Sequence, residues 1–143
     1  MKILSLLFLT IFLGKGCEEQ QQDLAAAVVE YTANSRGFYQ HIMIKNKVAT
    51  VTNTRDDKAK PMVIKIADKD WNELVAAFNE VDLAELPNLK WPTEKRFYDG
   101  AAIADLKVTY KDTTHQSSSF DHGFPPVEIE KLVNKITSLA PRN

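Results

Sequence analysis

Residues 103–110 have the sequence Ile103-Ala104-Asp105-Leu106-Lys107-Val108-Thr109-Tyr110, which predicts a β-strand. Lys111-Asp112 then predicts a tight turn into a second strand over residues 115–120. The corner Asp121-His122-Gly123-Phe124-Pro125-Pro126 follows, and a helix is predicted to begin at Pro126 because the fixed φ of proline suits the first helical position. The other elements are expected to pack around this hairpin and helix.

The residues before this hairpin predict four more strands and one helix. The runs that predict strands are 27–32, 38–44, 48–54 and 62–66. The helix is predicted over residues 68–81, with Asp68 as its N-cap and an apolar stripe formed by Trp71, Leu74, Val75 and Phe78. Short turns between strands favour antiparallel pairing. We therefore expect an α+β fold, in which one antiparallel sheet of about five to six strands carries two helices packed on one face.

Length and charge limit the classes of protein to consider. The 143 residues suit one domain preceded by an N-terminal segment, and 44% of them are hydrophobic, which suffices for a core. The net charge is −1; a chain that starts at Cys17 lacks Lys2 and Lys15, so it has 16 basic and 19 acidic residues and a charge of −3. This weak acidity argues against nucleic-acid binding, which needs a basic surface. No phosphate, metal or other cofactor motif is present, so the sequence predicts no cofactor.

The first residues predict an export signal. Lys2 gives a positive start, residues 3–13 form an apolar run, and Gly14-Lys15-Gly16-Cys17 follows. The run is shorter than the about 20 residues that span a bilayer, and it has the length of a signal-peptide hydrophobic region. A buried core helix is the alternative, which the extreme N-terminal position disfavours. Residues 1–16 are therefore predicted to be a signal peptide.

Gly16 and Cys17 resemble the lipobox of bacterial lipoproteins, in which small residues precede a cysteine that is acylated and becomes the mature N-terminus. Gly14 stands where that family usually has a Leu-like residue, and Lys15 is unusual beside the cleavage site. An ordinary signal peptidase would also accept Gly14 and Gly16. Cys17 is the single cysteine of the chain, however, and lipidation gives it a role. The resemblance implies that Cys17 carries a lipid anchor in the membrane.

Residues 17–26 are predicted to be a polar tether, and residues 27–140 a single α+β domain. Glu18 and Glu19 resemble the surface-export signal of some Gram-negative lipoproteins. That resemblance implies attachment to the outer membrane of the cell envelope, with the domain exposed at the surface.

Asp121 and His122 are the strongest candidates for chemistry because they lie between a strand end and a helix start, where side chains reach solvent. With Asp99 or His115 they could bind a metal or move a proton. We favour the alternative that one of them hydrogen-bonds the backbone and holds the corner, as Asp does in many turns. Ser117-Ser118-Ser119 could suggest a serine hydrolase, but strand serines alternate between faces and no oxyanion-hole motif accompanies them.

The loop over residues 87–101 combines aromatic and basic side chains. Its candidates for ligand contact are Trp91, Arg96 and Tyr98, which could stack on a sugar or anchor a protein partner. The alternative is that these rings close the open end of the sheet. The candidate binding residues of the whole chain are Trp91, Arg96, Tyr98, Asp99, Asp121 and His122.

Three stretches of the domain look like those of small bacterial lipoproteins of unknown function, namely residues 31–38, 96–102 and 120–126. That resemblance implies an envelope location and supplies no activity. We expect a non-enzymatic binding or accessory lipoprotein with an envelope protein as its partner. The alternatives are an inhibitor that blocks a secreted enzyme through residues 91–98, and a small hydrolase or metal-dependent enzyme centred on Asp99, Asp121 and His122.

Replacing Cys17 tests the predicted anchor. Wild-type protein should be labelled by a fatty-acid analogue and sediment with membranes, because acyl chains contribute about 0.8 kcal/mol per buried CH₂ and several chains hold a protein stably. Cys17→Ser should be unlabelled, and it should be recovered as a soluble domain or an uncleaved precursor. Mass spectrometry of the mature N-terminus is the direct measurement, and an unmodified thiol there would exclude the lipid anchor.

Overall fold

The computed structural model describes residues 22–141, so the predicted signal peptide and Cys17 lie outside the described residues. Its two α-helices are α1 (Asp68–Asn79) and α2 (Glu130–Ser138). Short 3-10 turns cover Leu24–Ala26, Leu83–Asn88, Lys95–Tyr98 and Val127–Ile129. The strands are β1 (Ala27–Ser35), β2 (Phe38–Lys45), β3 (Val48–Thr52), β4 (Met62–Lys65), β5 (Ile103–Tyr110), β6 (Thr113–Gln116) and β7 (Phe120–Asp121).

All strands belong to one antiparallel sheet with the order β4-β3-β2-β1-β5-β6, and β7 pairs with β5 beyond the end of β6. This architecture confirms the predicted α+β class. The predicted strand over residues 115–120 is divided into β6 and β7, because the Ser117 hydroxyl accepts a hydrogen bond from the Leu106 N–H and takes the place of a strand carbonyl. The Lys111-Asp112 turn has positive φ at both residues, as the two-residue hairpin turn compatible with strand twist requires.

One face of the sheet carries the hydrophobic core. In β1 the buried residues are Ala27, Val29, Tyr31 and Ala33, which alternate with partly exposed ones. Tyr31 stands opposite Ile42 of β2 and Leu106 of β5, and all three are fully buried. The other face, which we call the open face, carries partly exposed polar residues such as Glu30, Lys107 and His41.

The two helices supply the rest of this core. Trp71, Leu74 and Phe78 of α1 are buried, as the apolar stripe predicts. The N-cap of α1 is Ala67 rather than Asp68; Asp68 is already helical, so its exposed carboxylate pairs with Lys47 at 3.6 Å. In α2 the buried residues are Leu132, Val133 and Ile136. A 3-10 turn stands between Pro126 and this helix, so the α-helix begins at Glu130 rather than at Pro126.

Residues 22–26, which the sequence interpretation placed in the tether, pack on the domain. The Gln22 amide donates from Nε2 to the carbonyl oxygens of Phe78 and Val81 at 3.0 and 2.9 Å, at the C-terminal end of α1. Leu24 is 2% exposed and belongs to the core cluster. The Asp23 N–H donates to the Tyr110 hydroxyl at 3.1 Å. The chain is therefore fixed to the domain from Gln22 onward.

The sheet has two ends that differ in what they carry. We call the end at which Ala27 pairs with Tyr110 the proximal end, because Gln22 enters the domain there. The end at which Ser35 turns into Phe38 is the distal end. The nine residues of β1 separate the two ends by about 26 Å at roughly 3.3 Å per residue. Within residues 22–141, no helix has the length and apolar character that crossing a membrane requires.

Candidate functional site

The Asp121 carboxylate has every acceptor position filled. Its Oδ1 accepts from the Arg96 N–H at 2.9 Å and from Arg96 Nη1 at 3.1 Å. Its Oδ2 accepts from the Lys95 N–H at 2.7 Å and from Thr93 Oγ1 at 2.5 Å. Two carboxylate oxygens offer about four acceptor sites, so no site is left for a metal or a substrate. Asp121 is therefore a structural residue that holds residues 93–96 rather than the turn that follows it.

Burial and hydrogen bonding act in opposite directions on Asp121. Burial raises the pKa of this carboxyl, but the hydrogen bonds from Thr93, Arg96 and Lys95 outweigh burial and lower its pKa to about 2. Asp121 pairs with Ile103 across β5 and β7, so its side chain leaves the sheet on the open face, where residues 93–96 cover it. The loop thus reaches the open face of the sheet at the distal end.

Arg96, a sequence candidate for ligand binding, is buried and serves the fold. Its side chain is 2% exposed and forms an ion pair with Asp121 at 3.1 Å. The guanidinium lies 4.9 Å from the Trp91 ring centroid and 4.3 Å from that of Phe97, and these two rings meet edge to face. Arg96 Nε has no hydrogen-bond partner among the described residues. The planar guanidinium group of Arg96 therefore packs against the rings of Trp91 and Phe97.

Four aromatic side chains around this ion pair remain exposed. Trp91 is 40% exposed, Phe97 64%, Tyr98 71% and Phe124 41%. The ammonium group of Lys95 lies 4.0 Å from the Phe124 ring centroid, which links the fourth ring to the loop. We call these four residues the aromatic surface. The sequence indicated Trp91 and Tyr98; Phe124 was missed as a contact residue because the Gly-Phe-Pro-Pro corner suggested only a turn.

His122 points to the other side of the sheet from Asp121 and contacts the core. Its Nδ1 lies 2.5 Å from the Tyr31 hydroxyl, and its ring centroid lies 5.1 Å from that of Phe38. Burial lowers the pKa of His122, and burial with the nearby Asp105 charge raises the pKa of Tyr31. Both groups are therefore neutral at pH 7. His122 also lines two surface cavities of about 470 and 460 Å³.

Asp99, Asp121 and His122 do not form one site. Asp99 lies in the left-handed region with φ of 60°, is exposed, and lines the 460 Å³ cavity together with His122. Asp121 lines neither of the two cavities that contain His122. Among residues 22–141 no group of three or more His, Cys, Asp or Glu side chains is placed to hold a metal ion. This geometry gives no support to an enzyme centred on these three residues.

The serine run also has structural roles. Ser117 accepts from the Leu106 N–H at 2.9 Å, and Ser118 donates to the Pro87 carbonyl oxygen at 3.0 Å. Both contacts attach the edge of the sheet to neighbouring segments. In these positions neither hydroxyl is activated by His122, because Nδ1 of His122 contacts Tyr31 instead.

Comparisons with protein-family models, curated proteins and solved structures found no match to this chain. What the domain can bind is therefore indicated by its own geometry, above all by the aromatic surface and the cavities at the distal end.

Asp121→Ala should cost about 3–5 kcal/mol of stability, because it leaves the buried Arg96 charge without its partner. His122→Ala should cost less, about 1–3 kcal/mol, because it removes one hydrogen bond between neutral groups at a partly exposed position. Urea unfolding of both variants measures the difference. Asp57→Ala, at an exposed position without positive φ, is the matched control and should stay within about 0.5 kcal/mol of wild type. Equal, small changes for the first two variants would contradict the structural role of Asp121.

The lowered pKa of Asp121 predicts a specific acid sensitivity. In the unfolded chain this carboxyl binds a proton near its ordinary pKa of 3.8, whereas in the folded chain it does so only at about 2. Its stabilising contribution is therefore complete above about pH 4 and is lost as the pH falls to about 2. Urea unfolding at several pH values should show that wild type loses more stability over this range than Asp121→Asn. Asp99→Asn should keep the wild-type pH dependence; a wild-type dependence in Asp121→Asn would contradict the assignment.

Proposed function

We propose that the chain is a non-enzymatic binding module of the cell envelope that captures a protein partner on its aromatic surface. The observation that carries this proposal is the exposure of four aromatic rings around a loop whose backbone is fixed by a buried carboxylate. Aromatic residues dominate the binding energy of protein interfaces, where they fill pockets of the partner. An exposed group of this kind is uncommon on a monomer without such a role.

Two features favour a protein partner over a sugar. Ile103 is 51% exposed and stands opposite Asp121 in the sheet, so an aliphatic side chain adjoins the loop that carries the rings. Val127, which is 74% exposed, follows the Phe124 corner by three residues. Sugars bind mainly by stacking on rings and by hydrogen bonds, whereas a mixed aliphatic and aromatic surface suits the apolar centre of a protein interface.

The loop is held in one conformation before any partner binds. Lys95 and Arg96 donate backbone N–H groups to Asp121, and the Gly100 N–H donates to the Lys95 carbonyl oxygen at 2.7 Å. An ideal Cβ on Gly100 would lie 2.8 Å from the Tyr98 ring, so only glycine permits this ring position. Binding to a fixed loop loses little conformational entropy, which favours affinity.

The predicted lipid anchor would present the aromatic surface away from the membrane. Five peptide steps join Cys17 to Gln22, and an extended chain covers at most about 3.6 Å per residue, so the anchor would lie within about 18 Å of Gln22. Gln22 is bound at the proximal end, whereas the aromatic surface lies at the distal end, beside the residues that pair with Asn34. A lipid-anchored domain would thus direct the rings toward a partner in the envelope or outside it.

Site-specific photo-crosslinking in intact cells tests the partner surface. A photoreactive phenylalanine analogue at position 98 should give a discrete crosslinked product, whereas the same analogue at position 63 should not, because Val63 is similarly exposed (66%) but lies on the opposite edge strand. Phe97→Ser and Phe124→Ser should each reduce the product about tenfold or more, as for residues at the centre of an interface. Val63→Ser is the matched control and should leave it unchanged. Equal products from positions 98 and 63, or none, would overturn the proposal.

A further inference from the structure

A second surface at the distal end has the properties of a small-molecule site. The cavity of about 460 Å³ is lined by residues 35–38 at the turn between β1 and β2, by residues 99–102, and by His122. Its volume lies within the range of about 300–1,000 Å³ that is typical of ligand pockets. None of its lining residues belongs to the aromatic surface, so this inference goes beyond the protein-binding role and does not depend on it.

His122 lines this cavity and contacts the buried Tyr31 hydroxyl. The Tyr31 side chain is 0% exposed, and within the described residues its hydroxyl meets one hydrogen-bond partner, Nδ1 of His122 at 2.5 Å. A buried hydroxyl proton is costly to leave without an acceptor, which favours the Tyr31 O–H as the donor and Nδ1 as the acceptor. A neutral imidazole that accepts at Nδ1 carries its proton on Nε2. This arrangement favours the tautomer with the proton on Nε2, and the hydrogen bonds of the described residues include none to that atom.

Two exposed charges of opposite sign complete the lining. Arg36 lies on the β1–β2 turn and Asp99 on the loop across from it. Within residues 22–141 neither side chain forms an ion pair, and both residues are exposed. A guanidinium recognises carboxylates through paired N–H donors, and a carboxylate accepts from an ammonium group. The cavity therefore offers donors for a carboxylate and an acceptor for a nearby cation.

We propose that this cavity binds a free α-amino acid, with the ligand carboxylate on Arg36 and His122 and the ligand ammonium group on Asp99. An α-amino acid carries both groups on one carbon, whereas a peptide separates its amino and carboxyl ends. A simple carboxylate would satisfy Arg36 and be repelled by Asp99. A simple amine would be attracted by Asp99 and repelled by Arg36. A zwitterion, which carries both charges, therefore fits the charge pattern best.

Titration of the isotope-labelled domain by NMR tests the site. Glycine, L-alanine and D-alanine should shift the amide signals of Gly37, Gly100 and Ala101 in a saturable way. Propionate, which has only the carboxylate, and ethylamine, which has only the amine, should bind at least tenfold more weakly. Arg36→Gln and Asp99→Asn should each weaken alanine binding at least tenfold. Lys65→Gln on the far edge strand is the control and should bind like wild type.

Tyr31→Phe tests the positioning role of Tyr31. Ring ¹⁵N shifts of wild-type His122 should report the Nε2–H tautomer. In the variant the tautomers should mix and alanine affinity should fall a few-fold, while the amide spectrum remains that of a folded domain. Three results would overturn the proposal: no saturable shift with any of the three amino acids at concentrations up to tens of millimolar, equal affinity for propionate and alanine, or an unchanged affinity in Asp99→Asn.

Discussion

The buried ion pair between Asp121 and Arg96 is the interaction on which the distal end depends. Its side chains are 0% and 2% exposed, and a buried charge is costly unless it is paired and hydrogen-bonded. The Asp121 carboxylate meets that condition with four hydrogen bonds, all from residues 93–96. The loop cannot leave the sheet without breaking this ion pair and all four hydrogen bonds. These hydrogen bonds fix residues 93–96, which lack a regular apolar pattern, to the distal end of the sheet.

This ion pair also explains how aromatic rings stay exposed on a stable domain. Trp91 and Phe97 rest on the Arg96 guanidinium, whose position is set by Asp121 rather than by burial of the rings themselves. The loop is therefore held by polar contacts, and its apolar side chains are not needed in the core. Replacing a buried ion pair by apolar residues is often neutral for stability, so we assign this pair the role of selecting the loop conformation that presents the rings.

The periodicity of the sequence predicts the fold class, but it does not predict the conformation of the loop over residues 87–101. The alternation in β1 and the stripe in α1 each depend on neighbours a few residues away, so local patterns predict them. The Asp121–Arg96 pair joins positions 25 apart, and no local pattern indicates which carboxylate meets which cation. Arg96 among aromatic residues therefore suggested an exposed ligand contact, although the same composition forms a buried cation under two rings. Tyr98, by contrast, is exposed as a contact residue must be.

Asp121 and His122 make their side-chain contacts on opposite faces of the sheet. Asp121, the last residue of β7, receives the loop on the open face, while His122, the first residue after this strand, reaches Tyr31 and Phe38 on the core face. The His122 N–H also donates to the Ala102 carbonyl oxygen at 2.9 Å, which fixes the corner to the start of β5. The aromatic surface and the cavity beside His122 consequently adjoin the same corner, which is fixed by the contacts of Asp121 on the open face and of His122 on the core face. Two surfaces of different chemistry thus share a single rigid support, and neither requires the other to be occupied.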